Sequence, residues 1–222
     1  MVQIIKAHSP NGRWPSRQDR KRLEILEAAS QIFRDRGFER TTTRDIANAL
    51  GLTPGSLYYY FKDKQEIIFF CQETALRRLL TAGRRIGRMP LDPAQKLYLL
   101  IAEQVRCMLE DLFGSLAHVE LDGLAKRRRS RIVARRHQYE LIVRQIIRQG
   151  MRRRVFTAGD VRMRTLAILG AVNWTARWYT PDGPAGPAEI GRCFAAYLVS
   201  GLMRRSVRAR FPRFPIAREM NG

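Results

Sequence analysis

The sequence predicts an all-α protein. Apolar residues return every three or four positions through segment after segment, glycine and proline mark the breaks, and neither an alternating strand pattern nor an internal repeat stands out. Of 222 residues, 45% are hydrophobic, enough to bury a core in one large domain or two modest ones. No uninterrupted apolar run reaches the roughly eighteen residues of a membrane span. The start MVQIIKAHSPNGRW lacks the cationic head and long apolar core of a signal peptide, so the chain is expected in the cytoplasm with no membrane partner.

Residues 1–18, with Pro10, Gly12 and Pro15, read as a flexible arm whose Arg13, Trp14 and Arg17 can touch a phosphate or a minor groove. From about Asp19 to Arg36, Leu23, Leu26, Ala29, Ile32 and Phe33 describe an amphipathic helix that Gly37 closes. The stretch TTTRDIANALGLTPGSLYYYFKDK, Thr41 to Lys64, then lays out two short helices joined by a tight turn. Thr42 or Thr43 caps the first, and Ile46, Ala47 and Leu50 share one of its faces. Gly51 ends it, since a sharp turn needs a left-handed residue and glycine has no Cβ to oppose that conformation. Thr53 and Pro54 restart a helix with a cap and a preset φ. Leu57, Tyr58 and Phe61 then pack under the first helix. That leaves Ser56, Tyr59, Tyr60 and Lys64 outward, as a helix-turn-helix presents residues to a major groove.

After Lys64, the apolar pattern of Ile67, Ile68, Phe70, Cys71, Ala75, Leu76 and Leu79 runs as a long connector helix. A break at Gly87 to Pro93 precedes a helix from Ala94 to Phe113 with Leu97, Leu100, Ile101, Val105, Met108 and Leu109 on its inner stripe. Gly114 and Gly123 bracket a shorter segment, and Lys126 to Arg154 reads as one long helix. Thr157 to Asp160 restarts another helix that ends near Pro181, where the loop PDGPAGP has no helical option. Pro187 opens a final helix through Ile190, Phe194, Tyr197, Leu198, Gly201 and Leu202, and residues 208–222 form a basic, proline-broken tail.

A formal charge of +21 suggests a polyanionic partner, because cations that displace counterions supply most non-specific affinity for nucleic acid. Residues 1–70 carry only +4 of it and residues 71–222 the other +17, and 35 of the 41 cations are arginine. The basicity therefore lies mainly outside the DNA reader. Cys71, Cys107 and Cys193 are far apart and have no metal-type spacing with His8, His118 and His137, so buried free thiols and no metal site are expected. No nucleophile with a base and no paired acids stand out, which speaks against an enzyme. A pocket joining His118, Glu120 and an exposed Cys107 would revive that idea.

Through TTTRDIANALGLTPGSLYYYFKDKQEI and the preceding AASQIFRDRGF, roughly residues 19 to 81, the chain resembles the TetR family of bacterial one-component transcriptional regulators. The resemblance implies an all-helical homodimer, with a three-helix DNA-binding domain and connector over 19–81 and a roughly six-helix ligand-binding and dimerisation domain over 82–207. It puts Thr43 at a phosphate and Arg44 at a base edge or phosphate. A guanidinium suits guanine, since it reaches O6 and N7 together, and an exposed Arg44 reads equally as a solvated charge. Ser56 and Tyr59 take base-facing positions, Tyr60 and Lys64 look like phosphate anchors, and Thr42, Thr53, Pro54 and Gly55 complete the DNA-binding set. Tyr58 divides its roles, its ring packing in the module while its hydroxyl reaches the DNA backbone. The bland alternative is that the three adjacent tyrosines fill a small core.

A second stretch, AVNWTARWYTPDGPAGPAEIGRCFAAYLVSGL at residues 171–202, looks like a TetR subgroup that responds to acyl-coenzyme A thioesters in fatty-acid, phenylacetate or steroid degradation. The final two helices of each subunit form a four-helix bundle in this family, which implies a dimer interface at Phe194, Ala195, Tyr197, Leu198, Gly201 and Leu202, where small residues permit close packing. An acyl-coenzyme A needs cations at a mouth and an apolar cavity behind it. Arg128, Arg131 and Arg135 align on one helical face, while Ile132, Tyr139, Val143 and Ile146 make the inner stripe. Arg136 breaks into that stripe and needs a partner: Glu140, Glu120, Asp122 or an anionic ligand. Trp174 and Trp178, with Asn173 and Arg177 beside them, are candidates to line the acyl cavity, or are simply core aromatics.

The expected function is that of a homodimeric repressor, needing no cofactor, that an acyl-coenzyme A effector releases from a pseudo-palindromic operator on double-stranded DNA. A drug-sensing regulator of the same family is the nearer rival, and a constitutive nucleic-acid binder the more distant one.

Overall fold

The computed structural model describes residues 16–110 and 124–208. Among these residues it holds nine helices and no strand, with a single isolated bridge pairing Phe156 and Met203. The expected segment between Gly114 and Gly123 lies outside the described residues, as do Phe113 and nearly all of the two termini. Contacts divide the chain into two units, Met1–Phe70 and Cys71–Gly222.

The first unit opens with α1 (Arg17–Arg36), which starts two residues before the expected Asp19 because Ser16 caps it. The Ser16 hydroxyl accepts from the Asp19 amide at 3.0 Å and the Asp19 carboxylate accepts from the Ser16 amide at 3.1 Å, a reciprocal capping box. The buried stripe is Ile25, Leu26, Ala29 and Phe33; Leu23 and Ile32 sit at its half-buried edges. Thr42, not Thr43, caps α2 (Thr43–Ala49), and Asp45 closes a second capping box with it. The Thr42 hydroxyl and amide together hold the Asp45 carboxyl below the usual carboxylate range. Gly51 takes φ +62 in the turn, and Thr53 caps α3 (Pro54–Tyr60) by accepting from the Ser56 amide at 3.1 Å. Phe61 is buried as expected, yet it lies past the end of α3 in an extended conformation, between α3 and α4 (Lys64–Arg88). The Arg22 guanidinium stacks on Phe61 and Phe70 at 4.8 Å from each ring, an aromatic clamp that no local pattern announces.

In the second unit, α5 (Pro93–Glu110) is the hub and packs against α6 (Lys126–Arg152), α7 (Val161–Trp178) and α8 (Pro187–Leu202). All six of its expected inner residues, from Leu97 to Leu109, are buried. Its tightest approach is to α8, where a Cβ on Gly191 would stand 2.9 Å from the Ala102 carbonyl oxygen. The long helix stops at Arg152 and does not reach Arg154, which takes a left-handed φ of 58°. Phe156 then turns inward, and Thr157, expected to begin a helix, donates its amide to the Leu202 carbonyl at 2.9 Å. Asp160 is the true cap of α7, accepting from the amides of Arg162 and Met163. Past α8 comes a short α9 (Arg205–Arg208), where the apolar pattern marks no helix.

Candidate functional site

The reading surface of the first unit is built from two helix starts. Thr42, Arg44, Thr53, Pro54, Gly55, Ser56, Tyr58 and Tyr59 are exposed, while Thr43 and Tyr60 are half-buried. Within α3 only Leu57 is buried, so the tyrosines do not fill a core. Tyr59 is the most open of them at 71%, its ring edge-on to Tyr60 with centroids 5.1 Å apart. Tyr58 departs from expectation. Its ring is about half exposed and its hydroxyl meets the Thr43 hydroxyl at 3.2 Å, which ties the second helix to the first turn of α2. The Ser56 hydroxyl lies 2.9 Å from that of Thr53.

Lys64 also departs from expectation, because it opens α4 and does not extend the outward face of α3. Its ammonium donates to the Phe38 carbonyl at 2.8 Å and sits 4.3 Å over the Phe38 ring, holding the turn after α1. Replacing Lys64 by glutamine is expected to remove about 1 kcal/mol of stability, the worth of one charged hydrogen bond with a cation–π contact. Thermal unfolding measures it; a variant with unchanged midpoint would return Lys64 to the solvent-facing role.

The second unit contains a cavity of about 270 Å³ among α4, α5, α6 and α7. Ala75, Leu76, Leu79, Met108 and Leu169 make its apolar wall, and Gln72, Gln104, Cys107, Arg136, Tyr139 and Asn173 add polar groups. Three of the nine expected ligand residues, Arg136, Tyr139 and Asn173, are among them. Arg136 is exposed as a whole residue, yet its guanidinium reaches Gln72 rather than Glu140, 3.3 Å from the amide oxygen, and partial desolvation there lowers its pKa. Glu140 is taken by Arg144 and His137, and Glu120 and Asp122 lie outside the described residues. Asn173 accepts from the Gln104 amide at 3.1 Å.

The remaining cations are placed differently from the expectation. Arg131 and Arg135 do not line the cavity; both reach Glu73 of α4, at 2.6 and 3.1 Å, around a carboxylate side chain only 10% exposed. Arg128 is half-buried and away from the cavity wall. Trp174, Arg177 and Trp178 are exposed and none of them lines the cavity; Arg177 follows Asn173 one turn on along the same side of α7, while the two tryptophans are turned away from Leu169 and Asn173 and do not fill the core of the subunit. Trp178 stacks instead on Phe194 of α8, with ring centroids 6.2 Å apart.

On α8, Tyr197 is 82% exposed, Gly201 is exposed, and Phe194, Leu198 and Leu202 are half-buried. Ala195 is the exception among the expected interface residues. It is fully buried in the subunit's own core, on the Gly191, Ala195, Val199 stripe, and cannot touch a partner. Together with Met163, Leu166, Trp174 and Trp178 of α7, Tyr197 leaves large apolar side chains open on the two last long helices. Of the three thiols only Cys71 is buried; Cys107 is half-buried in the cavity wall and Cys193 is exposed, which corrects the expectation of buried thiols. No group of three metal-ligating side chains occurs among the described residues, and no helix there is long and apolar enough to cross a membrane.

Residues 25–69 match a family model described as bacterial regulatory proteins, tetR family, and residues 90–202, just over half of the chain, match a tetracyclin repressor-like C-terminal domain. The chain is 29% identical over 190 residues to the HTH-type transcriptional repressor KstR2 of Mycobacterium tuberculosis, covering 84% of this chain and 95% of that protein. The solved structure of KstR2, a ketosteroid transcriptional regulator, superposes with a TM-score of 0.76 at 28% identity over 83% of this chain and 96% of that one. The TetR family regulator PfmR from Thermus thermophilus gives 0.75 at 32% identity, covering 81% and 99%. AibR in complex with isovaleryl coenzyme A and operator DNA gives 0.71 at 21% identity, covering 82% and 98%, a likeness of fold.

Proposed function

Since the chain belongs to the TetR family of DNA-binding bacterial transcriptional regulators, we propose that it is a homodimeric repressor whose effector is an acyl-coenzyme A thioester. The observation that carries the effector class is the cavity, whose apolar wall meets a single guanidinium, Arg136, beside the uncharged amide of Gln72. Such a wall suits an acyl chain, and a cation lining it suits a ligand that brings its own negative charge. None of the described lining residues is acidic, which disfavours the cationic compounds of a drug sensor. KstR2 is a repressor, which supports repression here. AibR, of the same fold, has been seen in complex with isovaleryl coenzyme A and operator DNA, which agrees with this reading.

The operator is read by residues within 19–81. Arg44 takes a guanine edge or a phosphate, Ser56 and Tyr59 meet bases, and Thr43 and Tyr60 meet the backbone. Dimerisation through the open faces of α7 and α8, within 82–207, sets two recognition helices about 34 Å apart on a pseudo-palindrome. The link is α4, which starts at Lys64 in the DNA-reading unit and supplies Gln72, Ala75, Leu76 and Leu79 to the cavity wall. Gln72 and Glu73 fasten it to Arg136, Arg135 and Arg131 of α6. An anionic ligand that engages Arg136 releases Gln72, and a shift of α4 changes the spacing of the readers.

The test is fluorescence anisotropy on a duplex selected from random sequence, titrated with acyl-coenzyme A thioesters of increasing chain length and with coenzyme A alone. Operator affinity is expected to fall about tenfold or more with at least one thioester and not with coenzyme A alone. Unchanged affinity across the series rejects this effector class.

A further inference from the structure

Tyr139 is the odd member of the cavity wall. It is 4% exposed, and its hydroxyl has no hydrogen-bond partner among the described residues. The polar groups around it are engaged elsewhere: Glu103 holds Arg106 at 2.9 and 3.1 Å, and Gln104 holds Asn173. The neighbouring Cys107 thiol makes no hydrogen bond to it. A buried hydroxyl without a partner weakens a fold, and phenylalanine would fill the same space without that loss. Burial pushes the phenol above its usual range, so it stays a neutral donor at every physiological pH. The hydroxyl is closed to water and the residue lines the cavity, so the acceptor nearest at hand is one that a ligand brings into the cavity, met by a small turn of the side chain.

We infer that Tyr139 is the hydrogen-bond donor with which the cavity reads a carbonyl oxygen on the acyl part of its effector, selecting carbonyl-bearing ligands over hydrocarbons of the same shape. This deepens the acyl-coenzyme A reading and rests on the same cavity. A donor buried in an apolar site discriminates strongly, because a ligand without the acceptor leaves it unpaired.

Two matched pairs of ligands test the inference on wild type and Tyr139→Phe: octanoyl-coenzyme A against its thioether S-octyl-coenzyme A by calorimetry, and acetophenone against ethylbenzene by ligand-observed NMR. Wild type is expected to prefer the carbonyl member of each pair about tenfold, and Tyr139→Phe to bind both members within about twofold of one another. The variant keeps the ring and loses only a partnerless group, so its unfolding midpoint is expected to be no lower than that of wild type. A preference that survives in Tyr139→Phe overturns the assignment, as does a wild type that shows none or binds no member of either pair. If the small pair discriminates while neither thioester nor thioether binds, the donor role stands and the coenzyme A reading falls. If both coenzyme A ligands bind equally well to both proteins and the small pair shows no preference, the coenzyme A reading stands and the donor role falls.

Discussion

Replacing Phe156 by alanine is expected to cost the second unit about 3–5 kcal/mol, the range of a buried aromatic removed from a packed core. The ring is 2% exposed and occupies the space where a side chain on residue 150 would be: a Cβ on Gly150 would lie 2.1 Å from its Cδ2. The backbone is built around that insertion. The amides of Val155 and Phe156 both donate to the Gly150 carbonyl, at 2.9 and 3.1 Å, and Arg154 accepts a left-handed φ to make the turn. Beyond it, Thr157 and Arg204 join the α6–α7 connection to the end of α8 by backbone hydrogen bonds of 2.9 and 3.1 Å. One ring therefore organises the ends of three helices. Urea unfolding of the full chain measures the loss, and a cost under about 1 kcal/mol would show that the site collapses freely. A double-mutant cycle sharpens the expectation. Gly150→Ala alone is destabilising because the ring cannot yield, and in the Phe156→Ala background most of that penalty disappears.

Most helices were legible because their signals are local. Capping pairs such as Thr42 with Asp45 lie three residues apart, and an inner stripe such as Leu97 to Leu109 repeats within one helix. The helix-turn-helix was legible for the same reason, since Gly51 and the Thr53–Pro54 restart fix its turn within a few positions. What escaped depends on partners distant in sequence. Glu73 binds Arg131 and Arg135 about sixty residues away, so an arginine row that reads as an open mouth is in large part an internal ion pair. Lys64 spends its ammonium on Phe38, 26 residues before it.

Periodicity also says which residues share a helix face without saying what that face meets. Trp174 and Trp178 share one face of α7, but Leu169 and Asn173 on the other side received the cavity. On α8, small residues satisfy two demands at once, close packing inside a subunit and close packing between subunits. The sequence alone could not separate Ala195, which serves the first, from Gly201, which is open to solvent. On the DNA-reading face the spacing placed Leu57 inside and Tyr59 outside, but Tyr58, expected to pack beneath the first helix, stands about half exposed because its hydroxyl meets Thr43, fifteen residues before it.

The contrast between two glycines of α8 separates those demands experimentally. Gly191→Ala is expected to destabilise the subunit by about 1–3 kcal/mol, the usual cost of overpacking. Its Cβ would stand 2.9 Å from the Ala102 carbonyl oxygen and 3.4 Å from the Ala102 Cα, and because both are backbone atoms no rotamer change relieves the clash. Helix α8 must move off α5, carrying with it the outer face on which Tyr197 and Gly201 lie, so the dimer is expected to weaken as well. Gly201→Ala meets nothing within 4 Å in the subunit and should stabilise it slightly, by up to about 0.5 kcal/mol, less than the gain at a helix interior because Gly201 is the next-to-last residue of α8. If α8 packs closely on its counterpart at Gly201, that same methyl group weakens the dimer while the subunit gains stability. Chemical unfolding and sedimentation equilibrium of both variants read the two effects apart. A Gly191→Ala protein as stable as wild type would contradict the close α5–α8 approach, and a Gly201→Ala protein with an undiminished dimer would move the partner's contact away from this end of α8.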